Sequence, residues 1–168
     1  MDVVVFDKDS TLFDTSGRHG LINREDRDAT DWVAYSKACD LDLPNHGTIA
    51  LARLLHRKGV VIVVLTGANE EAEREVRVQL DEHDVPFDFL LMRRADETRS
   101  NGAMKVAYLR EFMARFPDAD IHFVVEDWGP AADDIYDGLE IPAVVINPRY
   151  SEKKPEVESI EAESAYLA

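Results

Sequence analysis

A short apolar run followed at once by two carboxylates constrains this chain more than any other feature. Residues 3–6 are too few for a typical helix and rich in β-branched side chains, which predicts a fully buried parallel strand. Asp7 and Asp9 follow directly, and ligands of open α/β sheets bind beyond the carboxyl ends of the strands. One carboxylate there can attack phosphorus, and the second can transfer protons. An acidic loop that caps a helix is the alternative for this pair taken alone.

Four further apolar runs alternate with helical patterns along the chain. The alternation predicts an α/β fold, a Rossmann-like three-layer α/β/α sandwich with a five-stranded parallel sheet. Lys58-Gly59 is predicted to end a helix, and Asn69 is predicted to begin one. The later strands are predicted at 60–65, 87–92, 121–125 and 143–146, and helices at 31–38, 101–116 and 131–136.

The length of 168 residues favours one domain, expected at 1–150. Residues 14–47 are predicted to form a flap or helical insert over the strand ends, and 151–168 an acidic tail or terminal helix. Trp32, Tyr35 and Trp128 are expected to pack in the core or the flap rather than to stack on bases.

The charge and the cysteine content limit the environment of the chain. A net charge of −15 would repel a nucleic-acid backbone over most of the surface. The single cysteine, Cys39, allows no intramolecular disulfide and is expected to be a small buried apolar residue. No run approaches the ~18 apolar residues of a membrane span, and the N-terminus does not look like a signal peptide. The default expectation is a cytoplasmic protein without a membrane partner.

Polar residues at the ends of other strands, together with one lysine, are expected to form a single site with Asp7 and Asp9. Thr66 offers a hydroxyl and adjacent backbone N–H groups to phosphoryl oxygens, and Lys105 adds a positive charge. Hard oxygen donors favour Mg²⁺, without which the carboxylates would repel one another and a phosphate dianion. The expected metal ligands are Asp7, the backbone carbonyl at Asp9, Glu126 and Asp127.

Four ordered motifs give the chain a family resemblance. The motifs are 7–12 (Asp-Lys-Asp-Ser-Thr-Leu), 65–67 (Leu-Thr-Gly), Lys105 and 125–127 (Val-Glu-Asp). Together they resemble the haloacid dehalogenase (HAD) superfamily over about residues 2–147 and imply a HAD-like phosphatase domain with a minimal cap. The resemblance implies that Asp7 is the nucleophile and Asp9 the general acid/base. It also implies that Thr66 and Lys105 bind phosphate and that Asp127 binds Mg²⁺, with Glu126 beside it.

A narrower resemblance concerns the stretch after the third strand. Met92-Arg93, Arg99 and Lys105 are spaced as in the 3′-phosphatase domains of polynucleotide kinase–phosphatase enzymes. The resemblance implies substrate contacts from Arg93 and Arg99, together with the motif residues Thr11 and Gly67. No phosphate-binding P-loop lysine motif is present, so no kinase half is expected.

The sequence therefore predicts a Mg²⁺-dependent phosphomonoesterase that works through an aspartyl-phosphate. The preferred substrate is a 3′-phosphate on a nucleic-acid end, as in nucleic-acid repair, or a nucleotide. A nucleotidase or sugar-phosphate phosphatase is the alternative. A non-catalytic binding module on the same fold is the third hypothesis, and the intact motif residues argue against it.

Overall fold

A computed structural model describes residues 1–26 and 30–146 of the chain. The strands are β1 (Asp2–Phe6), β2 (Phe13–Asp14), β3 (Leu43–Pro44), β4 (Val61–Asn69), β5 (Phe89–Arg93), β6 (Asp120–Glu126) and β7 (Ala143–Val145). The α-helices are α1 (Trp32–Lys37), α2 (His46–Arg57), α3 (Glu73–Glu82), α4 (Asn101–Arg115) and α5 (Gly129–Leu139). Short 3-10 helices cover Ser16–Leu21, Ala38–Leu41 and Glu70–Ala72.

β1 is the central strand of a five-stranded parallel sheet with the order β5-β4-β1-β6-β7. Its side chains alternate between the two faces. Val4 and Phe6 join a core with residues of α2 and α3, whereas Val3 and Val5 join a second core with residues of α4 and α5. Helices therefore cover both faces, and the predicted three-layer sandwich is confirmed.

Two predicted helix boundaries agree with the structure, whereas α5 extends beyond the predicted 131–136 at both ends. The Asn69 side chain accepts a hydrogen bond from the Glu71 N–H, and a 3-10 turn then leads into α3. Gly59, just after α2, has φ +84°, in the left-handed region that favours glycine. β4 is longer than predicted because it continues through an irregular stretch between Thr66 and Asn69. Thr66 is its last regularly paired residue before that stretch.

A second, two-stranded sheet was not predicted from the sequence. β2 pairs antiparallel with β3 through only two residues on each side. The pairing closes the ends of a segment, residues 13–44, that we call the insert; it contains α1 and two of the 3-10 helices. The predicted insert covered 14–47, but α2 already begins at His46. Cys39 is buried in the insert as expected.

Two remaining expectations concern chain segments and membranes. The acidic C-terminal segment, 151–168, lies outside the described residues. Within 1–26 and 30–146, no helix has the length and apolar character required to span a bilayer.

Candidate active site

Asp7 lies at the carboxyl end of the central strand and is almost fully buried. Its backbone N–H donates to the Val125 carbonyl of β6 at 2.9 Å, which continues the sheet and fixes the residue. Lys105, from the second turn of α4, donates from Nζ to Asp7 Oδ1 at 2.7 Å and to Glu126 Oε2 at 2.5 Å. The topology thus brings together residues that are 98 and 21 positions apart.

Asp7, Glu126 and Asp127 form a carboxylate cluster at this end of the sheet. One ligand oxygen of each lies within 4.8 Å of the others. Asp7 Oδ2 is buried and has no hydrogen-bond partner among the described residues, although buried polar atoms are normally satisfied. Three carboxylates against the one ammonium of Lys105 leave two negative charges uncompensated if all ionise. The donor set therefore fits a hard divalent cation such as Mg²⁺.

Burial changes the ionisation of this cluster. Burial, together with the Glu126 carboxylate, raises the pKa of Asp7 to about 7, against the opposing effect of Lys105. Burial also raises the pKa of Glu126 and of Asp127, where the Asp7 charge adds to the effect. Although burial opposes a charged lysine, Asp7 and Glu126 raise the pKa of Lys105, which stays an ammonium.

Asp9 lies in a different environment, although only Lys8 separates it from Asp7. Its Oδ1 accepts hydrogen bonds from Lys8 Nζ and from Arg18 Nη2, both at 2.6 Å. Burial alone would raise the pKa of Asp9, but these two cations lower it to about 2. In this arrangement Asp9 is a carboxylate at neutral pH.

Arg18, together with its partner Asp42, belongs to the site but is not predicted from the sequence. It is fully buried in the insert and donates from Nε to Asp42 Oδ1 at 2.8 Å and from Nη2 to Asp42 Oδ2 at 2.9 Å. Its guanidinium lies 4.3 Å from the centre of the Tyr35 ring, and Gln79 Nε2 donates to Asp42 Oδ2 at 3.2 Å. An arginine in a polar loop gives no sequence signal of such a position, because its partners come from distant parts of the chain.

Three predicted phosphate-contacting residues lie close to this end of the sheet. Thr66 is fully buried, and its Oγ1 accepts a hydrogen bond from the Ala68 N–H at 3.0 Å. A Cβ on Gly67 would lie 2.6 Å from Asn101 Oδ1, so the irregular stretch of β4 around Gly67, which we call the Gly67 turn, lies against the Asn101 side chain at the start of α4. Thr11 is also buried, and its hydroxyl has no partner among the described residues.

The two predicted substrate arginines differ from each other in position. Arg93 donates to the carbonyls of Glu97 and Arg99 and lies 3.5 Å from Asn101 Oδ1, which places it next to the Gly67 turn. Arg99 instead forms a two-armed ion pair with Glu97. In the described part of the chain, no hydrogen bond joins either guanidinium to the carboxylate cluster.

Solved structures share this fold. A chain of the Pnkp1/Rnl/Hen1 RNA repair complex is similar over 86% of this chain and 42% of its own length, with 19% identity and a TM-score of 0.64. A predicted phosphatase from Clostridium acetobutylicum matches over 87% and 84%, with 16% identity and a TM-score of 0.59. A HAD-superfamily hydrolase from Geobacter sulfurreducens matches over 86% of both chains, with 14% identity and a TM-score of 0.59.

These likenesses establish the class of fold. The chain has the fold of the HAD hydrolases, and the resemblance predicted from its four motifs is confirmed at that level. It also resembles the repair-complex chain, of which it spans less than half the length. No family model matches the sequence, and no curated protein matches it.

Proposed function

We propose that this protein is a Mg²⁺-dependent phosphomonoesterase with Asp7 as its nucleophile. The observation that carries the proposal is the environment of Asp7. Its Oδ1 is held by Lys105, while its buried Oδ2 has no partner and belongs to a carboxylate cluster with an excess of negative charge. Mg²⁺ held by Asp7, Asp127, Glu126 and the Asp9 carbonyl would neutralise charge on the carboxylates and on the phosphoryl oxygens.

The reaction requires two displacements at phosphorus. An Asp7 oxygen forms a bond to phosphorus while the ester P–O bond breaks, and the leaving oxygen takes a proton from Asp9. Asp9 then accepts a proton from water, whose oxygen attacks the aspartyl-phosphate and regenerates Asp7. Thr66 and Lys105 stabilise the charge on the phosphoryl group. Because Lys8 and Arg18 hold Asp9 ionised, the first step requires Asp9 to move away from at least one of them.

The proposed substrate is a nucleic-acid end with a 3′-phosphate, or a nucleotide. The likeness to a chain of an RNA repair complex supports this choice, as does the position of Arg93 beside the Gly67 turn. A small-molecule phosphatase is the second candidate, favoured by the Arg99–Glu97 pair, which occupies a side chain expected at the substrate.

A phosphate-release screen tests the function. Purified protein with Mg²⁺ is incubated with a 3′-phosphorylated oligonucleotide, nucleoside monophosphates and sugar phosphates, and the Asp7→Asn chain is the matched control. We expect release from at least one ester with the wild type and none with Asp7→Asn. Release that is equal in both chains would refute the proposed chemistry. Preference for sugar phosphates over both nucleotide classes would select the second candidate.

A further inference from the structure

Trp128 is only partly buried, although the sequence predicts that it packs in the core or the flap. The residue follows Asp127 directly and is 48% exposed. About half of this large aromatic side chain is therefore open to contact with a ligand.

The backbone of Trp128 is fixed although its ring is exposed. Its N–H donates to Glu126 Oε1 at 3.3 Å, and its carbonyl accepts hydrogen bonds from the N–H groups of Ala131 and Ala132 as the N-cap of α5. No ring contact of the indole is found among residues 1–26 and 30–146. The backbone that carries the indole is thus held in place. The side chain has only two torsion angles, so it loses little conformational entropy when a ligand binds.

The distance to the reaction centre is short. Consecutive Cα atoms are about 3.8 Å apart, so the indole begins one residue from the proposed metal ligand Asp127. Trp128 therefore follows the same end of the sheet at which Asp7 lies and the phosphate ester would bind.

The charge of the surface favours a contact that needs no cation. The net charge of the chain is −15. The arginines after β5 already form ion pairs, Arg94 with Glu111 and Arg99 with Glu97. Additional backbone phosphates would meet few free cations here. A base that stacks on an aromatic ring gains affinity without charge, and stacking tolerates any base because each has a π-face.

We propose that the Trp128 indole is the stacking platform for the nucleobase next to the reacting phosphate. This inference rests on the proposed function and specifies its substrate class as nucleoside phosphates. In this proposal the protein recognises the phosphoryl group and one nucleobase of the substrate. It does not bind a longer stretch of the nucleic-acid backbone.

A comparison of two esters tests this subsite. Nucleoside 3′-monophosphate and methyl β-D-ribofuranoside 3-phosphate share the furanose ring and the reacting group and differ in the base. We expect the wild-type preference for the base-bearing ester, measured as a ratio of kcat/KM, to fall about tenfold in Trp128→Ala and to be largely kept in Trp128→Phe. Tyr136→Ala is the matched control, because Tyr136 is 57% exposed on the same helix, about two turns away, and its loss should leave the ratio unchanged.

A binding measurement separates this inference from the proposed catalysis. The chain has two tryptophans, so in a Trp32→Phe, Asp7→Asn background the fluorescence reports Trp128 alone. With Mg²⁺ present, nucleoside 3′-monophosphate should quench it and inorganic phosphate should not. Absence of quenching, or an unchanged ratio in Trp128→Ala, would overturn the stacking inference even if phosphate release is normal. Quenching by the nucleotide without phosphate release from any ester by the wild type would keep the subsite and refute the phosphatase.

Discussion

Two buried ionic clusters lie side by side in this molecule, and they differ in charge balance. The first, which we call the strand-end cluster, sets Asp7, Glu126 and Asp127 against Lys105. The second, which we call the insert cluster, sets Asp9 and Asp42 against Lys8 and Arg18. The strand-end cluster has three acidic groups to one base, whereas the insert cluster has two of each.

Because of this difference, the strand-end cluster needs an additional cation, whereas the charges of the insert cluster already balance. In the strand-end cluster the pKa of Asp7 is raised to about 7 and one of its oxygens has no partner. In the insert cluster the pKa of Asp9 is lowered to about 2, and each carboxylate is bound by cations. The first arrangement suits metal and substrate binding, and the second keeps Asp9 ionised until it moves away from one of its two cations.

The largest expected effect comes from Asp7→Asn. Removal of the proposed nucleophile should lower kcat by about 10⁴-fold or more, measured as phosphate release. The fold should survive. The pKa of Asp7 is higher in the folded state than in the unfolded state. The folded state therefore loses stability as the pH rises from the ordinary pKa of an aspartate to about 7. Without metal at pH 8, the Asp7→Asn chain should therefore melt a few degrees higher than the wild type, and a lower Tm would contradict the charge imbalance.

Metal removal is the next test of the strand-end cluster. EDTA should abolish activity and Mg²⁺ should restore it. Below pH 7 protons compete with the metal for Asp7, so the half-saturating Mg²⁺ concentration should fall as pH rises from 6 to 7, by up to about tenfold, and then level off. The measurement is a Mg²⁺ titration of activity at each pH. A requirement that is independent of pH, or full activity without metal, would contradict the proposed site.

The insert cluster should respond in stability. Arg18→Gln leaves Asp42 and Asp9 with Lys8 as their remaining cation, and breaking a buried ion pair typically costs about 3–5 kcal/mol. Arg77→Gln is the control, because its pair with Glu73 is exposed and worth about 0.3–0.5 kcal/mol. Urea denaturation measures both. Equal small losses would show that the insert cluster does not support the fold.

The smallest expected effect compares two arginines of one loop. Arg93 lies beside the Gly67 turn, whereas Arg99 is paired with Glu97. Arg93→Ala should therefore lower kcat/KM for a 3′-phosphorylated oligonucleotide by about tenfold, and Arg99→Ala by clearly less. A larger loss in Arg99→Ala would mean that the Arg99–Glu97 pair opens when substrate binds.

Much of the strand-end cluster is predictable from the sequence, whereas the Arg18–Asp42 pair of the insert cluster is not. Asp7 and Glu126 end apolar runs, and a parallel sheet necessarily gathers such ends at one edge. Lys105 can be assigned to the site only from the family motif, because a lysine early in a helix is usually exposed. Arg18 and Asp42 are 24 residues apart in a polar segment, and their pairing depends on how the insert folds back. The two-residue strands β2 and β3 are too short to show any alternation.

The alternation of β1 has a consequence for how this chain can evolve. Asp7 lies on the same face of the strand as Val3 and Val5 and contacts Lys105 of α4. Lys8 lies on the opposite face, with Val4 and Phe6, and contacts Asp42 of the insert. A one-residue insertion or deletion here would exchange the two faces, sending the lysine into the strand-end cluster and the carboxylate into the insert cluster. A change of length at this junction should therefore disrupt both clusters at once, whereas a single side-chain replacement changes only one of them.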